Sequence, residues 1–252
     1  MNTQRTVLIS GAGSESGIGF ASAKRFTELG YQVFITGASQ RIHERAKEIS
    51  AKSFVADLTN PQEVSKLIEN VKSDLGGLDV LVNNAGMTSV SSPMDEEINK
   101  SVFDVSYEMW QFEISRNLDS AFLLTKEALP LLRNSSSGRV INVSSVTGSV
   151  MAMKADAAYA AAKAGLIGLT RSLALDEAKY GITVNAVSPG WIETGSQTRA
   201  EASEGISTPI GRSGTANEVA VVICSLADAQ NGYLTGQNIV VDGGNSITEE
   251  RA

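Results

Sequence analysis

Two kinds of segment alternate along this chain. Short apolar runs are separated by longer amphipathic stretches. The short runs are Thr6–Ser10, Tyr31–Thr36, Ser53–Ala56, Leu78–Asn83, Arg139–Ser144, Ile182–Val187 and Asn238–Val241, and each reads as a β-strand. Helices are expected to start near Gly17, Arg41, Pro61, Ser106, Ser120, Asp156 and Thr215. The strands are apolar throughout, which fits burial on both faces, and helices lie between them. The pattern predicts an α/β fold: a doubly wound parallel sheet of about seven strands, Rossmann-type, with helices on both faces. In such sheets ligands bind beyond the carboxyl ends of the strands, so residues at those ends carry the functional question.

Composition narrows the picture. A chain of 252 residues with no linker rich in Pro, Ser or charge is expected to form a single domain over 1–252. The formal net charge of −7 argues against nucleic acid or an anionic membrane as partner. An anionic cofactor is still compatible, since it needs only a local positive site. The one cysteine, Cys224, lies in the apolar run Val219–Cys224 and reads as a small buried hydrophobe. No apolar run approaches the ~18 residues needed to cross a bilayer. A strand opens almost at the N-terminus, which leaves no room for a signal peptide, so the expectation is a cytoplasmic protein. His43 is the one histidine, sits in a charged helix and is expected to face solvent. With one histidine and one cysteine, neither a zinc site nor a Ser-His-Asp triad is expected.

The first strand runs into a glycine-rich turn, Ser10-Gly-Ala-Gly-Ser-Glu-Ser-Gly-Ile-Gly19, and then a helix. Glycines let the backbone approach a pyrophosphate, and the helix start supplies unpaired N–H groups. Gly11, Ser16, Gly17, Ile18 and Gly19 are therefore candidate dinucleotide contacts. The second strand ends Thr36-Gly-Ala-Ser-Gln-Arg41. An acidic residue there would bind a ribose 2′-hydroxyl and repel a 2′-phosphate. None is present, whereas Ser39 and Arg41 are. NADP(H) is favoured, with NAD(H) as the alternative. Glu15, in the glycine turn, counts against NADP(H).

Tyr159 and Lys163 stand four residues apart in an alanine-rich helix, so phenol and ammonium share one face. A cation beside a tyrosine is expected to lower its pKa from about 10 toward the working range. Upstream, the strand Arg139–Ser144 leads into Ser145, and Asn83-Asn84-Ala85-Gly86 closes the fourth strand. Together the strand-end serine, the Tyr-x-x-x-Lys helix, the glycine turn and the Asn-Asn-Ala-Gly run resemble the short-chain dehydrogenase/reductase family. The likeness spans nearly the whole chain and is nearest to the branch of 3-oxoacyl-[acyl-carrier-protein] reductases.

The resemblance implies roles. Tyr159 would be the general acid/base, Lys163 its partner and a ribose contact, and Ser145 the group that steadies the substrate oxygen, with Ser144 as fallback. Asn117, in Ser115-Arg-Asn-Leu118, would hold a water linking Lys163 to solvent. Asp57 and Leu58 would lie by the adenine, with helix capping as the competing role for Asp57. Asn84, Ala85 and Gly86 would line the cofactor, with Asn83 and Asn84 tying strands together. Pro189, Gly190, Ile192 and Thr194 would hold the nicotinamide carboxamide, and Trp191 would stack on the cofactor or pack below it. The glycine turn is two residues longer than the family pattern, which leaves Gly13 in doubt as a contact and would carry the loop over the adenosine ribose.

Three loops complete the reading. The stretch 87–105 is expected to form the rim of a substrate cleft, and 151–154 a substrate wall. The polar stretch 195–214 is read as a mobile lid, shorter than in carrier-protein reductases. The expected function is NADP(H)-dependent interconversion of a carbonyl and a secondary alcohol, on a 3-oxoacyl thioester or related ketone. The alternatives are an NAD-dependent dehydrogenase of a sugar or polyol, and a non-catalytic dinucleotide sensor. A homotetramer is implied, packed through the helices near Ser120 and Asp156, where Ala160, Ala164 and Gly168 permit close approach.

Overall fold

The computed structural model describes residues 4–86 and 101–249. In chain order the elements are β1 (Thr6–Ser10), α1 (Ile18–Glu28), β2 (Gln32–Gly37), α2 (Arg41–Glu48), β3 (Lys52–Val55), α3 (Pro61–Leu75) and β4 (Val80–Asn83). Next come α4 (Tyr107–Ile114), a π-helical turn (Ser115–Asp119), α5 (Ser120–Leu132), β5 (Arg139–Val143) and the single turn α6 (Val146–Ser149). The chain continues through α7 (Ala157–Glu177), a 3₁₀ turn (Ala178–Tyr180), β6 (Thr183–Pro189), β7 (Ile192–Glu193), α8 (Arg199–Ile206), β8 (Gly214–Thr215), α9 (Ala216–Ala227) and β9 (Asn238–Val241).

Seven of these strands form one parallel sheet in the order β3-β2-β1-β4-β5-β6-β9. Val7 of β1 registers with Val33 of β2 on one side and Val80 of β4 on the other. The direction of winding reverses between β1 and β4, which opens a crevice at their carboxyl ends. Because successive strand residues face opposite ways, one strand feeds two cores. Val7 and Ile9 pack with Phe20 and Phe26 of α1, Ile42 of α2 and Ile223 of α9. Leu8 packs on the other face with Leu67 of α3 and Leu124 of α5. All seven expected strands are present, with ends moved by a residue or two.

Two expectations need correction. The stretch 195–214 contains α8, which Thr198 and Glu201 start with a reciprocal capping box. The helices expected near Ser106 and Ser120 are α4 and α5, and the π turn Ser115–Asp119 joins them. His43 is half buried on α2, with Nδ1 2.9 Å from the Ser53 hydroxyl, rather than solvent-facing. Cys224 is buried in the core, as expected, and burial pushes its thiol up to about 12. Most of the expected rim loop, 87–100, lies outside the described residues. Among the described residues no helix is long and apolar enough to cross a membrane, and no group of three His, Cys, Asp or Glu is placed to hold a metal ion.

Candidate active site

β1 delivers the glycine turn to the crevice. Gly11 sits at φ +69, and a Cβ there would lie 2.8 Å from the Ala85 backbone. A Cβ on Gly19 would lie 2.5 Å from the Asn84 amide nitrogen and 2.6 Å from the Gly11 carbonyl. Both positions are therefore closed to larger residues. Asn84 Nδ2 donates to the Ser10 and Gly11 carbonyls at 3.1 and 3.0 Å, which ties β4 to the turn. Asn83 does the same one strand over, donating to Asn142 and Thr125 at 2.8 Å. Gly17 caps α1 without a side-chain hydrogen bond, so the helix start is open to an anion. Ile18 opens that helix and lines the central cavity. A Cβ on Gly13 would meet nothing within 4 Å.

The longer turn does not simply arch outward. Ser16 Oγ accepts a 2.7 Å hydrogen bond from the Gly195 N–H, which joins it to the start of the 195–214 stretch. Glu15 turns to Arg45, 3.4 Å away. At the end of β2, Arg41 Nε lies 3.4 Å from Ser39 Oγ, and the Arg41 side chain is exposed. Asp57 is exposed and accepts from the Thr59 N–H and hydroxyl at 2.9 and 2.7 Å. The cap of α3 is Asn60, so the helix-capping role considered for Asp57 falls to its neighbour. Leu58 is buried in the core beneath.

The centre of the site is a cavity of about 220 Å³. Asn84, Ser145, Tyr159 and Lys163 line it. Pro189, Gly190, Ile192 and Thr194 line it as well. Trp191 also borders the cavity. Met153, from the 151–154 segment, forms part of the wall. The two serines divide their work. Ser144 is buried and donates to the Lys163 carbonyl at 2.9 Å, while Ser145 hydrogen-bonds the Tyr159 phenol. Lys163 is buried, its ammonium donates to the Val143 carbonyl at 3.1 Å, and it lies 5.5 Å from the Tyr159 ring centre.

The electrostatics reverse one expectation. The Tyr159 phenol is not drawn below its ordinary value but pushed up to about 12. Burial is the main cause; the Ser145 hydrogen bond opposes it, and the charges of Asp156, Glu113 and Glu201 add to it. Burial brings the Lys163 ammonium down to about 8, with Glu113 opposing. Asp156 rises to about 6, through burial and then the Glu113 charge.

Glu113 and Asp156 are the residues that sequence reading missed. Both line the cavity, and Glu113 is buried. A signal existed: Glu113 stands four residues before Asn117, and Asp156 three before Tyr159, so each shares its neighbour's helix face or start. Asn117 is buried in the π turn, and its Nδ2 donates to the Glu113 carbonyl and carboxylate at 3.1 and 3.0 Å.

A strand-turn-helix dinucleotide cradle beside a Ser-Tyr-Lys cavity defines an NAD(P)-dependent oxidoreductase. Comparison with known proteins carries this further. A family model described as enoyl-(acyl carrier protein) reductase matches residues 11–246. The 3-oxoacyl-[acyl-carrier-protein] reductase FabG of Salmonella typhimurium is 37% identical over 243 residues, covering 92% of this chain and 94% of the relative. The oxidoreductase UcpA of Escherichia coli K12 is 33% identical, covering 98% and 96%. Among solved structures, the aldohexose dehydrogenase of Thermoplasma acidophilum superposes with a TM-score of 0.86 at 30% identity, covering 99% of this chain and 96% of the other. A levodione reductase gives 0.87 at 29%, covering 97% and 98%. The chain belongs to the short-chain dehydrogenase/reductase family. As a member of an enzyme family with these relatives it is not read as a dinucleotide sensor.

Proposed function

We propose that the chain, working as one catalytic domain, reduces a ketone to a secondary alcohol with NADP(H), the best candidate being a 3-oxoacyl thioester or a related ketone. The observation that carries the reading is the convergence of Ser145, Tyr159 and Lys163 on one cavity that Pro189, Gly190, Ile192 and Thr194 also line. Gly11, Ser16, Gly17, Ile18 and Gly19 would hold the pyrophosphate. Asn84, Ala85, Gly86, Pro189, Gly190, Ile192 and Thr194 would hold the nicotinamide half, and Asp57 and Leu58 would flank the adenine. Ser39 and Arg41 favour the 2′-phosphate. The pairing of Glu15 with Arg45 weakens the objection that its charge raised. When bound, the nicotinamide supplies the hydride to the carbonyl carbon.

The chain's residues manage the proton. Ser145 holds the carbonyl oxygen, and Tyr159 gives its phenolic proton to that oxygen as charge develops there. With its phenol pushed up to about 12, Tyr159 is protonated at neutral pH and carries the proton that reduction consumes. Lys163 and Asn117 would return a proton from water to Tyr159.

The test is NADPH oxidation with acetoacetyl thioester, run beside NADH and beside Tyr159→Phe. The expected result is a rate that prefers NADPH and falls about 10²–10⁴-fold in Tyr159→Phe. Equal rates for the variant and the wild type would sink the mechanism.

A second reading, an NAD-dependent dehydrogenase of a sugar or polyol, draws support from Asp156 and Glu113 on the cavity wall. Carboxylates accept hydrogen bonds from substrate hydroxyls, whereas an acyl chain gains nothing from them. The likeness to an aldohexose dehydrogenase points the same way. Turnover of an aldohexose with NAD, without turnover of the thioester, would favour it.

A further inference from the structure

We propose that Glu113 is a positioning residue that sets the orientation of the Asn117 amide. The proposal rests on the reading of Asn117 as part of the proton path.

An asparagine amide has a donor end and an acceptor end of nearly equal shape, so something must choose between them. At Asn117 the choice is made by two acceptors on one residue. Nδ2 lies 3.1 Å from the Glu113 main-chain carbonyl and 3.0 Å from its carboxylate Oε2. Turning the amide over would set Oδ1 against both oxygens and lose both hydrogen bonds. The π turn over Ser115–Asp119 loosens the regular helical ladder around Asn117.

The consequence is at the other end of the amide. Asn117 Oδ1 is buried and has no hydrogen-bond partner among the described residues. It faces Gly86, where an added Cβ would come within 3.0 Å of it. Leaving a buried acceptor unpaired is destabilising. An acceptor fixed in this way beside Gly86 is ready for a water or another donor in a proton path.

The same carboxylate acts on the lysine. Glu113 is buried, 6% exposed, and its charge favours the protonated form of Lys163 against the burial that works the other way. The groups facing it include Asn117 on the π turn, Asp156 at the start of α7, and Tyr159 and Lys163 on α7.

Two variants separate these effects. Glu113→Leu removes the side-chain acceptor and the charge. Glu113→Gln keeps an acceptor for Nδ2 but loses the charge. Each is compared with the wild type and with Asn117→Ala by NADPH-dependent acetoacetyl thioester reduction across pH. The wild type and Glu113→Leu are also crystallised, which requires no substrate. The expected crystallographic result is an ordered water on Asn117 Oδ1 in the wild type, and a turned amide without that water in Glu113→Leu.

The expected kinetic result is a kcat about tenfold lower in Glu113→Leu with KM within about twofold, in line with the cost of a misplaced group. Glu113→Gln should recover most of kcat while its pH profile stays displaced from wild type. A wild-type Asn117 orientation and water in Glu113→Leu would overturn the proposal, whatever the kinetics. So would equal losses in Leu and Gln variants with KM raised in both, which marks a merely structural residue. Failure of the underlying reading looks different. A wild-type rate in Asn117→Ala would remove the proton path, and absence of any thioester turnover would remove the substrate; in both cases the crystal structures still decide the role of Glu113.

Discussion

A buried tyrosine surrounded by three carboxylates and one lysine is an unusual acid, because most of its neighbours resist its ionisation. Asp156 is the most informative of them. Its carboxyl is raised to about 6 by burial and by the Glu113 charge. The folded state therefore holds the proton more tightly than the unfolded chain does. The stability contributed by neutral Asp156 is fully present below its ordinary value near 3.8 and is lost as pH rises through about 6. Asp156→Asn removes this dependence. Thermal melts at pH 4 and pH 7 should show the variant gaining on the wild type at the higher pH, and an equal offset at both would mean that Asp156 is not shifted. At this scale the sequence was informative about side chains that form a recurring pattern, namely Ser145, Tyr159, Lys163, Asn117 and the glycine turn. Glu113 and Asp156 are signalled only by their spacing from Asn117 and Tyr159. Their importance comes from facing the same cavity across α4, the π turn and α7, and spacing alone does not show burial. For the same reason the sequence points the wrong way on the Tyr159 shift. A lysine four residues away can be seen in the sequence, while desolvation and charges from other elements cannot.

Elements show the same division. Strand positions followed from apolar runs, since a doubly covered parallel sheet leaves little room for polar residues, and all seven runs landed in the sheet. The helix α8 was hidden because its residues, Arg199–Ile206, are mostly polar and carry only a weak apolar face. Its start was nevertheless written in the Thr198-x-x-Glu201 capping box, where Thr198 accepts from the Glu201 N–H and Glu201 accepts from the Thr198 N–H. A helix of this composition depends on its cap more than on its burial. Thr198→Ala should cost about 1 kcal/mol of local helix stability. Hydrogen exchange would then quicken over 199–206 while the sheet strands keep wild-type protection. Uniform acceleration across the sheet would show that α8 is coupled to global unfolding. Because the Gly195 N–H bonds to Ser16 in the glycine turn, a looser α8 would also be expected to reach the dinucleotide cradle through that contact.

The whole molecule leaves apolar surface that its own packing does not use. Phe122 on α5 is 47% exposed and Leu175 on α7 is 80% exposed. Ala164 and Gly168 of α7 are exposed as well. Single exposed apolar residues are ordinary, but small residues repeated along a long helix let a second helix approach closely. An acidic chain gains nothing from like-charged copies at long range, so assembly would have to come from such short-range apolar contact. We expect a homotetramer packed through α5 and α7, with a mass four times that of the 26.5 kDa chain. Gly168 offers the cleanest probe. A Cβ added there would meet nothing within 4 Å inside the protomer, so a large side chain at this point should leave the fold intact. Gly168→Arg should lower the mass seen by light scattering while circular dichroism and the thermal melt of the protomer stay recognisable. An unchanged tetramer mass in Gly168→Arg would place the contact on another face. A wild-type protein that elutes as a single chain would mean that α5 and α7 are free in solution, and that the cavity is built by one protomer alone.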